Sequence, residues 1–144
     1  MSDAPFLRPP DQLGCVVPEL EPAIREWNAQ GVGPFLTMKG VVLDDYVYRG
    51  RPSRPKIDVA FSQQGDLQVE LIRPVCDQPS AYRDFLAAGH QGPHHHGWFC
   101  DEYAGDVRAA QAGGRTELQH GRWGALHFVY FDPFEGEELI GELI

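Results

Sequence analysis

The sequence is short of basic residues, of paired cysteines and of long apolar runs, and each shortage removes a class of function. Twelve Lys and Arg stand against 21 Asp and Glu, a formal net charge of -9. The basic residues are scattered, so the clustered cations that neutralise a nucleic-acid backbone are missing. Anionic membrane surfaces are disfavoured on the same ground. No apolar run approaches the roughly 18 residues of a membrane span. The opening MSDAPFLRPPDQ lacks a basic stretch followed by an apolar one, so no secretory leader is expected. Cys15, Cys76 and Cys100 form no C-x-x-C pair, and an odd count gives no disulfide framework. The expectation is a cytoplasmic protein in a reducing compartment, with a small molecule or a metal ion as partner and neither nucleic acid nor membrane.

What is present suits one compact domain. The chain has 144 residues, 42% of them hydrophobic, and a chain of this size buries about two-thirds of its unfolded surface without disulfide or zinc staples. It also repeats itself. Gln12-Leu-Gly14-Cys-Val-Val-Pro-Glu19 matches His95-His-Gly97-Trp-Phe-Cys-Asp-Glu102 at the glycine and the final glutamate, and each half ends in Glu-Leu-Ile, at Glu70-Leu71-Ile72 and Glu142-Leu143-Ile144. Such a period points to a duplicated half-domain rather than a solenoid.

Residues 12 to 17 alternate as a strand, and Leu20, Ile24 and Trp27 then share one helical face, closed by Gly31 and Gly33. Strand-like runs follow at 35–49, 56–62 and 67–73. The second copy has a strand at 95–100, a helix with Tyr103, Val107 and Ala110 on one face, and strands near 116–120, 125–131 and 138–143. A short helix capped by Ser80 joins the copies. Arg49–Pro55, with two prolines, reads as a loop. The alternative is a cationic lip of Arg49, Arg51 and Arg54 that meets an anionic substrate. Each copy is β-α-β-β-β, and the expected fold class is α+β.

Two glutamates stand out. Glu70 and Glu142 each sit inside an otherwise apolar strand, and Glu142 shares its face with Ile140 and Ile144. A carboxylate on a buried apolar face is costly unless paired, hydrogen-bonded or bound to a cation. One alone could be an edge-strand charge that discourages aggregation. Two at equivalent places of a repeat, matched by Gln12 and His95 at another equivalent pair, offer oxygen and nitrogen donors for zinc, nickel, cobalt or manganese. Strand alternation puts His95 on one face and His94 and His96 on the other. His127 shares its face with Val129 and Phe131; it is a reserve candidate for proton shuttling.

The ordered pieces Gln12-Leu-Gly-Cys-Val-Val-Pro-Glu19-Leu20, Gly31-Val-Gly-Pro-Phe35, Gln68-Val-Glu70-Leu-Ile, Gln78-Pro-Ser-Ala-Tyr82, Gly92-Pro-His-His95 and Val129-Tyr-Phe-Asp132 resemble the glyoxalase/bleomycin-resistance group, the vicinal oxygen chelate superfamily. The likeness is to the glyoxalase-like branch near the methylmalonyl-CoA epimerases. It implies one domain over residues 11–144, a module at 11–75, a linker helix at 76–91 and a module at 92–144, with paired sheets forming a cup around a divalent metal. By position it places the metal ligands on Gln12, Glu70, His95 and Glu142. Methylmalonyl-CoA epimerases usually have His where Gln12 stands; the Gln, Glu, His, Glu set resembles the eukaryotic lactoylglutathione lyases.

One histidine with two carboxylates disfavours an extradiol-type dioxygenase, which typically uses two histidines and one carboxylate. The expected activity is an isomerase or epimerase: a divalent ion stabilises the charge that develops when a proton leaves the carbon beside a carbonyl, and Glu142, with Glu70 as its counterpart, moves the proton. Candidate substrates are a 2-substituted acyl thioester, a hemithioacetal or a related hydroxycarbonyl compound. Phe35, Tyr46, Trp98, His127 and Tyr130 are candidates to touch it, with core packing the competing role for the aromatics. A metal-free protein that sequesters a small hydrophobic or aromatic compound is the rival reading. A homodimer is the expected assembly.

Overall fold

The computed structural model describes residues 4–144; residues 1–3, the start of the segment read as carrying no leader, lie outside them. After a 3-10 turn at Ala4–Phe6 come β1 (Gln12–Val16), α1 (Leu20–Ala29), β2 (Leu36–Val42), β3 (Asp44–Tyr48), β4 (Arg51–Ser53), β5 (Lys56–Gln64) and β6 (Leu67–Pro74). Then follow α2 (Ala81–Ala87), β7 (Gly92–Trp98), α3 (Tyr103–Ala112), β8 (Glu117–Trp123), β9 (Leu126–Phe131) and β10 (Ile140–Leu143). The strands form one mixed sheet in the order β2-β5-β6-β1-β7-β10-β9-β8-β3-β4. It curls into a half-barrel with three helices, an α+β fold.

Period-two alternation decides which side chains face the hollow of this sheet. On β1, Val16 joins the inner cluster with Ile72 and Tyr130, while Cys15 and Val17 pack with Leu20 and Ala23 of α1. On β9, Phe128 and Tyr130 face inward, and Val129 and Phe131 pack toward Ala110 of α3. Each half of the sheet thus has one helix on its outer face. α2 caps the inner cluster through Ala81 and Tyr82, and its start is fixed by Ser80, whose Oγ accepts from Arg83 N at 3.0 Å. No helix among the described residues is long and apolar enough to cross a membrane.

Two expectations need correction. The run at 35–49 is two strands: β2 pairs with β5, and after Leu43 the chain turns through Asp45, at φ 47°, so that β3 pairs with β8 of the other half. The strand at one end of the order, β2, is therefore joined through Leu43 to β3, the strand next to the other end, and the sheet curls to bring them together. The segment Arg49–Pro55 is not a plain loop. Arg49 and Gly50, at φ 50° and 78°, make a two-residue hairpin turn, and Arg51–Ser53 pairs with Tyr46–Tyr48. Proline is tolerated in β4 because this is the last strand of the sheet.

Candidate metal centre

Four strands build the floor of the cup, with one register on both sides of the centre. β1 runs parallel to β6, with Gln12 beside Gln68 and Gly14 beside Glu70. β7 runs parallel to β10, with His95 beside Ile140 and Gly97 beside Glu142. Where β1 and β7 meet antiparallel, Gln12 lies opposite Gly97 and His95 opposite Gly14. Each large polar side chain therefore faces a glycine. A Cβ on Gly14 would stand 2.0 Å from His95 Cε1, and a Cβ on Gly97 would stand 2.9 Å from Gln12 Oε1 and 3.3 Å from Glu142 Oε1.

The register brings together all four residues expected as ligands. One ligand atom from each of Glu70, His95 and Glu142 lies within 4.8 Å of the others. His95 Nε2 is 3.4 Å from Glu70 Oε1 and 3.2 Å from Glu142 Oε1. Neighbouring ligands around an ion with bonds of about 2.0–2.2 Å stand at about this spacing. Gln12 Nε2 donates to Gln68 Oε1 at 2.8 Å. Its Oε1 is buried without a hydrogen-bond partner, and Glu142 Oε1 is buried with His95 as its contact. A buried amide oxygen without a partner, beside two carboxylates and an imidazole, is what a divalent cation satisfies.

The electrostatics agree. Burial acts against the His95 cation, but Glu142 and Glu70 outweigh it and push the imidazole up to about 9. Burial also pushes Glu142 up to about 7, against the pull of His95. Without a cation the cluster holds on to protons; a divalent ion would displace them.

His94 departs from the alternation expected for it. Opposite Gly14 and Cys15, β7 presents His95 and Pro93, so His94 is the unpaired residue of a β-bulge. The bulge turns its ring toward the site: His94 Nδ1 lies 3.0 Å from His95 Nδ1, and His94 is buried against Phe85 and Tyr82. This contact holds the His95 ring so that Nε2 is the atom offered to the carboxylates. Tyr130 OH is 3.4 Å from the same Nε2 and 2.9 Å from Tyr82 OH.

A cavity of about 420 Å³ opens above this floor. Of the five residues expected to touch a substrate, only Tyr130 lines it. Phe35 packs beneath α1, and Tyr46 is buried in the inner core with its hydroxyl donating to Gln119. Trp98 faces outward, its Nε1 donating to Arg8 O at 2.8 Å. His127 is exposed and lies on the α3 side against Tyr103, because it alternates with Phe128 and Tyr130 on β9. The cationic lip does not form: Arg49 donates to Tyr48 OH, Arg54 pairs with Asp44, and neither these nor Arg51 lines the cavity. The walls that sequence reasoning missed are Phe61 and Trp123, stacked at 5.9 Å, with Phe99 and Leu126 at the rim. Gln68 could have been found, since alternation on β6 places it on the face of Glu70.

The fold is shared with solved structures of low sequence identity. A hypothetical protein of Bacillus halodurans superposes with a TM-score of 0.64 at 14% identity, over 94% of this chain and 91% of that one. A methylmalonyl-CoA epimerase variant of Streptomyces coelicolor, in complex with 2-nitronate-propionyl-CoA, gives 0.63 at 19%, over 93% and 94%. The methylmalonyl-CoA epimerase of Mycobacterium tuberculosis gives 0.61 at 16%, over 97% and 93%. No curated protein sequence matches the chain. The model of the glyoxalase/bleomycin resistance protein/dioxygenase superfamily matches residues 11–131. With that match and this cup, the chain belongs to the glyoxalase/bleomycin resistance protein/dioxygenase superfamily.

Proposed function

We propose that the protein is a divalent-metal-dependent isomerase or epimerase that moves a proton on the carbon beside a carbonyl. The observation that carries this reading is the convergence of Glu70, Glu142 and the unpartnered buried Oε1 of Gln12 at the floor of a cavity, with the His95 imidazole against both carboxylates. Gln12, Glu70, His95 and Glu142 would hold zinc, nickel, cobalt or manganese. When bound, such an ion supplies Lewis-acid stabilisation of negative charge on substrate oxygen.

The chain's own groups do the rest. Glu142 and Glu70 approach the floor from β10 and β6, on opposite sides of the central strands. Glu142 takes the proton from one face of the substrate carbon, and the same carboxylate or Glu70 returns it. Tyr130 offers its hydroxyl beside the reacting oxygens, and burial holds that phenol far above its ordinary pKa, so it stays a donor. His94 keeps the His95 ring in place.

The structural neighbours named as methylmalonyl-CoA epimerases make an acyl thioester one candidate substrate, beside hemithioacetals and other hydroxycarbonyl compounds. The wider reading keeps the two-module division at 11–75 and 92–144, supported by the matching registers of β1 with β6 and β7 with β10, a cytoplasmic location, in keeping with three free cysteines, and a homodimeric assembly. The test is a screen of such compounds with metal-loaded protein in deuterated water. Exchange of the proton beside the carbonyl is expected, and it should fall to background in Glu142→Gln. Exchange that is unchanged in Glu142→Gln removes Glu142 as the base. A binding protein would show no exchange on any member of the screen.

A further inference from the structure

The cup is divided by chemistry. Its floor holds the polar groups: Gln12, Gln68, Glu70 and Glu142, with the hydroxyls of Tyr82 and Tyr130. Its walls are Leu43, Ile57, Phe61, Trp123 and Phe128. The rim carries Phe99 and Leu126, which are 43% and 50% exposed although they border the cavity. Among the described residues no Lys or Arg lines it.

The arginines near the rim are also committed. Arg8, which donates to Phe99 O, pairs with Asp11 at 2.8 Å. Arg122, next to Trp123, pairs with Asp45 at 2.7 Å and donates to Gly124 O. A phosphate or a remote carboxylate entering this cup would leave water without meeting a cation beyond the floor, which is unfavourable in an apolar site. An aromatic ring would meet two others: Phe61 on β5 and Trp123 on β8 stack at 5.9 Å with 14° between their planes, bridging strands that lie far apart in the sheet order.

We propose that the site selects a neutral hydroxycarbonyl or dicarbonyl compound carrying one apolar arm, an aryl or branched alkyl group, and selects against compounds that would bring a phosphate or a second carboxylate into the cup. This rests on the reading of the floor as a metal centre and narrows its substrate. The two adjacent oxygens go to the floor, and the arm lies along Phe61, Trp123 and Phe128 toward Leu126. A cavity of about 420 Å³ lies within the size range of small-molecule sites and has room for a single ring with its chelating end.

Hydroxamic acids, which present two adjacent oxygens to a metal, separate the arm from the chelating end. Binding of acetohydroxamic acid, phenylacetohydroxamic acid and succinic monohydroxamic acid to cobalt-loaded protein is measured by calorimetry. The phenyl compound is expected to bind at least about tenfold tighter than the acetyl compound, the scale of discrimination an apolar pocket provides. The carboxylate-bearing compound should bind no tighter than the acetyl one. Phe61→Ala and Trp123→Ala should each reduce the phenyl advantage and leave acetohydroxamic acid unchanged. Phenyl and acetyl affinities within twofold of each other, a tighter succinic compound, or a phenyl advantage untouched by both variants overturns the proposal.

Failure of the two readings is distinguishable. A phenyl preference without deuterium exchange on any aryl hydroxyketone removes the isomerase and leaves the ligand class standing. Exchange on an acyl-CoA thioester without the phenyl preference removes the ligand class and leaves the isomerase. No saturable binding of any hydroxamic acid removes both.

Discussion

The two strand pairs that build the floor share one register and differ in what they place on it. β1 with β6 carries Gln12, Gln68 and Glu70; β7 with β10 carries His95, Ile140 and Glu142 at the equivalent points. In the first pair an amide positions an amide, through the bond from Gln12 Nε2 to Gln68 Oε1. In the second, Ile140 stands where Gln68 would be, so the side chain that positions His95 comes from its own strand, by way of the bulge at His94. The backbone register sets where the four donors meet. The neighbours of each donor set which atom it presents.

The glycines break this comparison most sharply. Gly14→Ala drives a Cβ to 2.0 Å from a fully buried imidazole that has no room to move. It should cost at least about 3 kcal/mol in denaturant unfolding, at the upper end for overpacked cores. Gly97→Ala meets Gln12 less closely, at 2.9 Å from the movable Oε1 and 3.1 Å from Cβ. It should unfold the chain less and appear mainly as weaker metal binding. Equal stability losses at the two positions would mean that the two sides of the floor are not packed as described.

His95→Ala comes next. It removes the only nitrogen donor of the set and should weaken cobalt or zinc binding beyond the about 10–100-fold that outer partners carry. His94→Ala should fall within that range, and His94→Asn, which can still accept from His95 Nδ1, should recover part of the loss. Gln68→Ala should lower affinity less, because Gln12 is a weaker ligand than His95. Competition against a chelator of known affinity measures all of them, and a Gln68→Ala effect larger than that of His94→Ala would reverse the assignment of the stronger side.

The smallest effect is in pH. His95 is raised to about 9 and Glu142 to about 7, so both favour the folded state in their protonated forms. The stability that His95 contributes is complete below its ordinary pKa near 6.5 and is lost as pH rises through about 9. Glu142 is in direct contact with His95, so the two titrate as a pair and the proton held between them is lost over the same rise in pH. Metal-free protein should therefore melt lower at pH 9 than at pH 6, while metal affinity rises over the same interval as protons leave the ligands. Thermal melts with and without zinc across this range check both trends. A metal-free midpoint that rises toward pH 9 would contradict the cluster's charge state.

Much of the floor was legible in the sequence because two periodicities coincide there. Alternation put Glu70 and Glu142 on apolar faces, and the repeat matched Gln12 with His95; the structure brings these four side chains together. The role of His94 was hidden, since a bulge breaks the period-two rule on which its placement rested. The aromatic walls were hidden for a different reason. Phe61 and Trp123 meet only because the sheet curls, and the curl depends on β3 leaving the first half to pair with β8. No local pattern in residues 35–49 records that exchange, and the hairpin at Arg49-Gly50 follows from it.

The central claim is that Gln12, Glu70, His95 and Glu142 form one divalent metal site. The most direct measurement is the absorption spectrum of chelator-stripped protein titrated with cobalt(II), beside the His95→Ala and Glu142→Gln variants. One equivalent per chain should bind saturably, with visible bands of a protein-held ion that shift or vanish in both variants. Absence of saturable binding to the unaltered protein, or an identical spectrum and affinity in His95→Ala, would contradict the account.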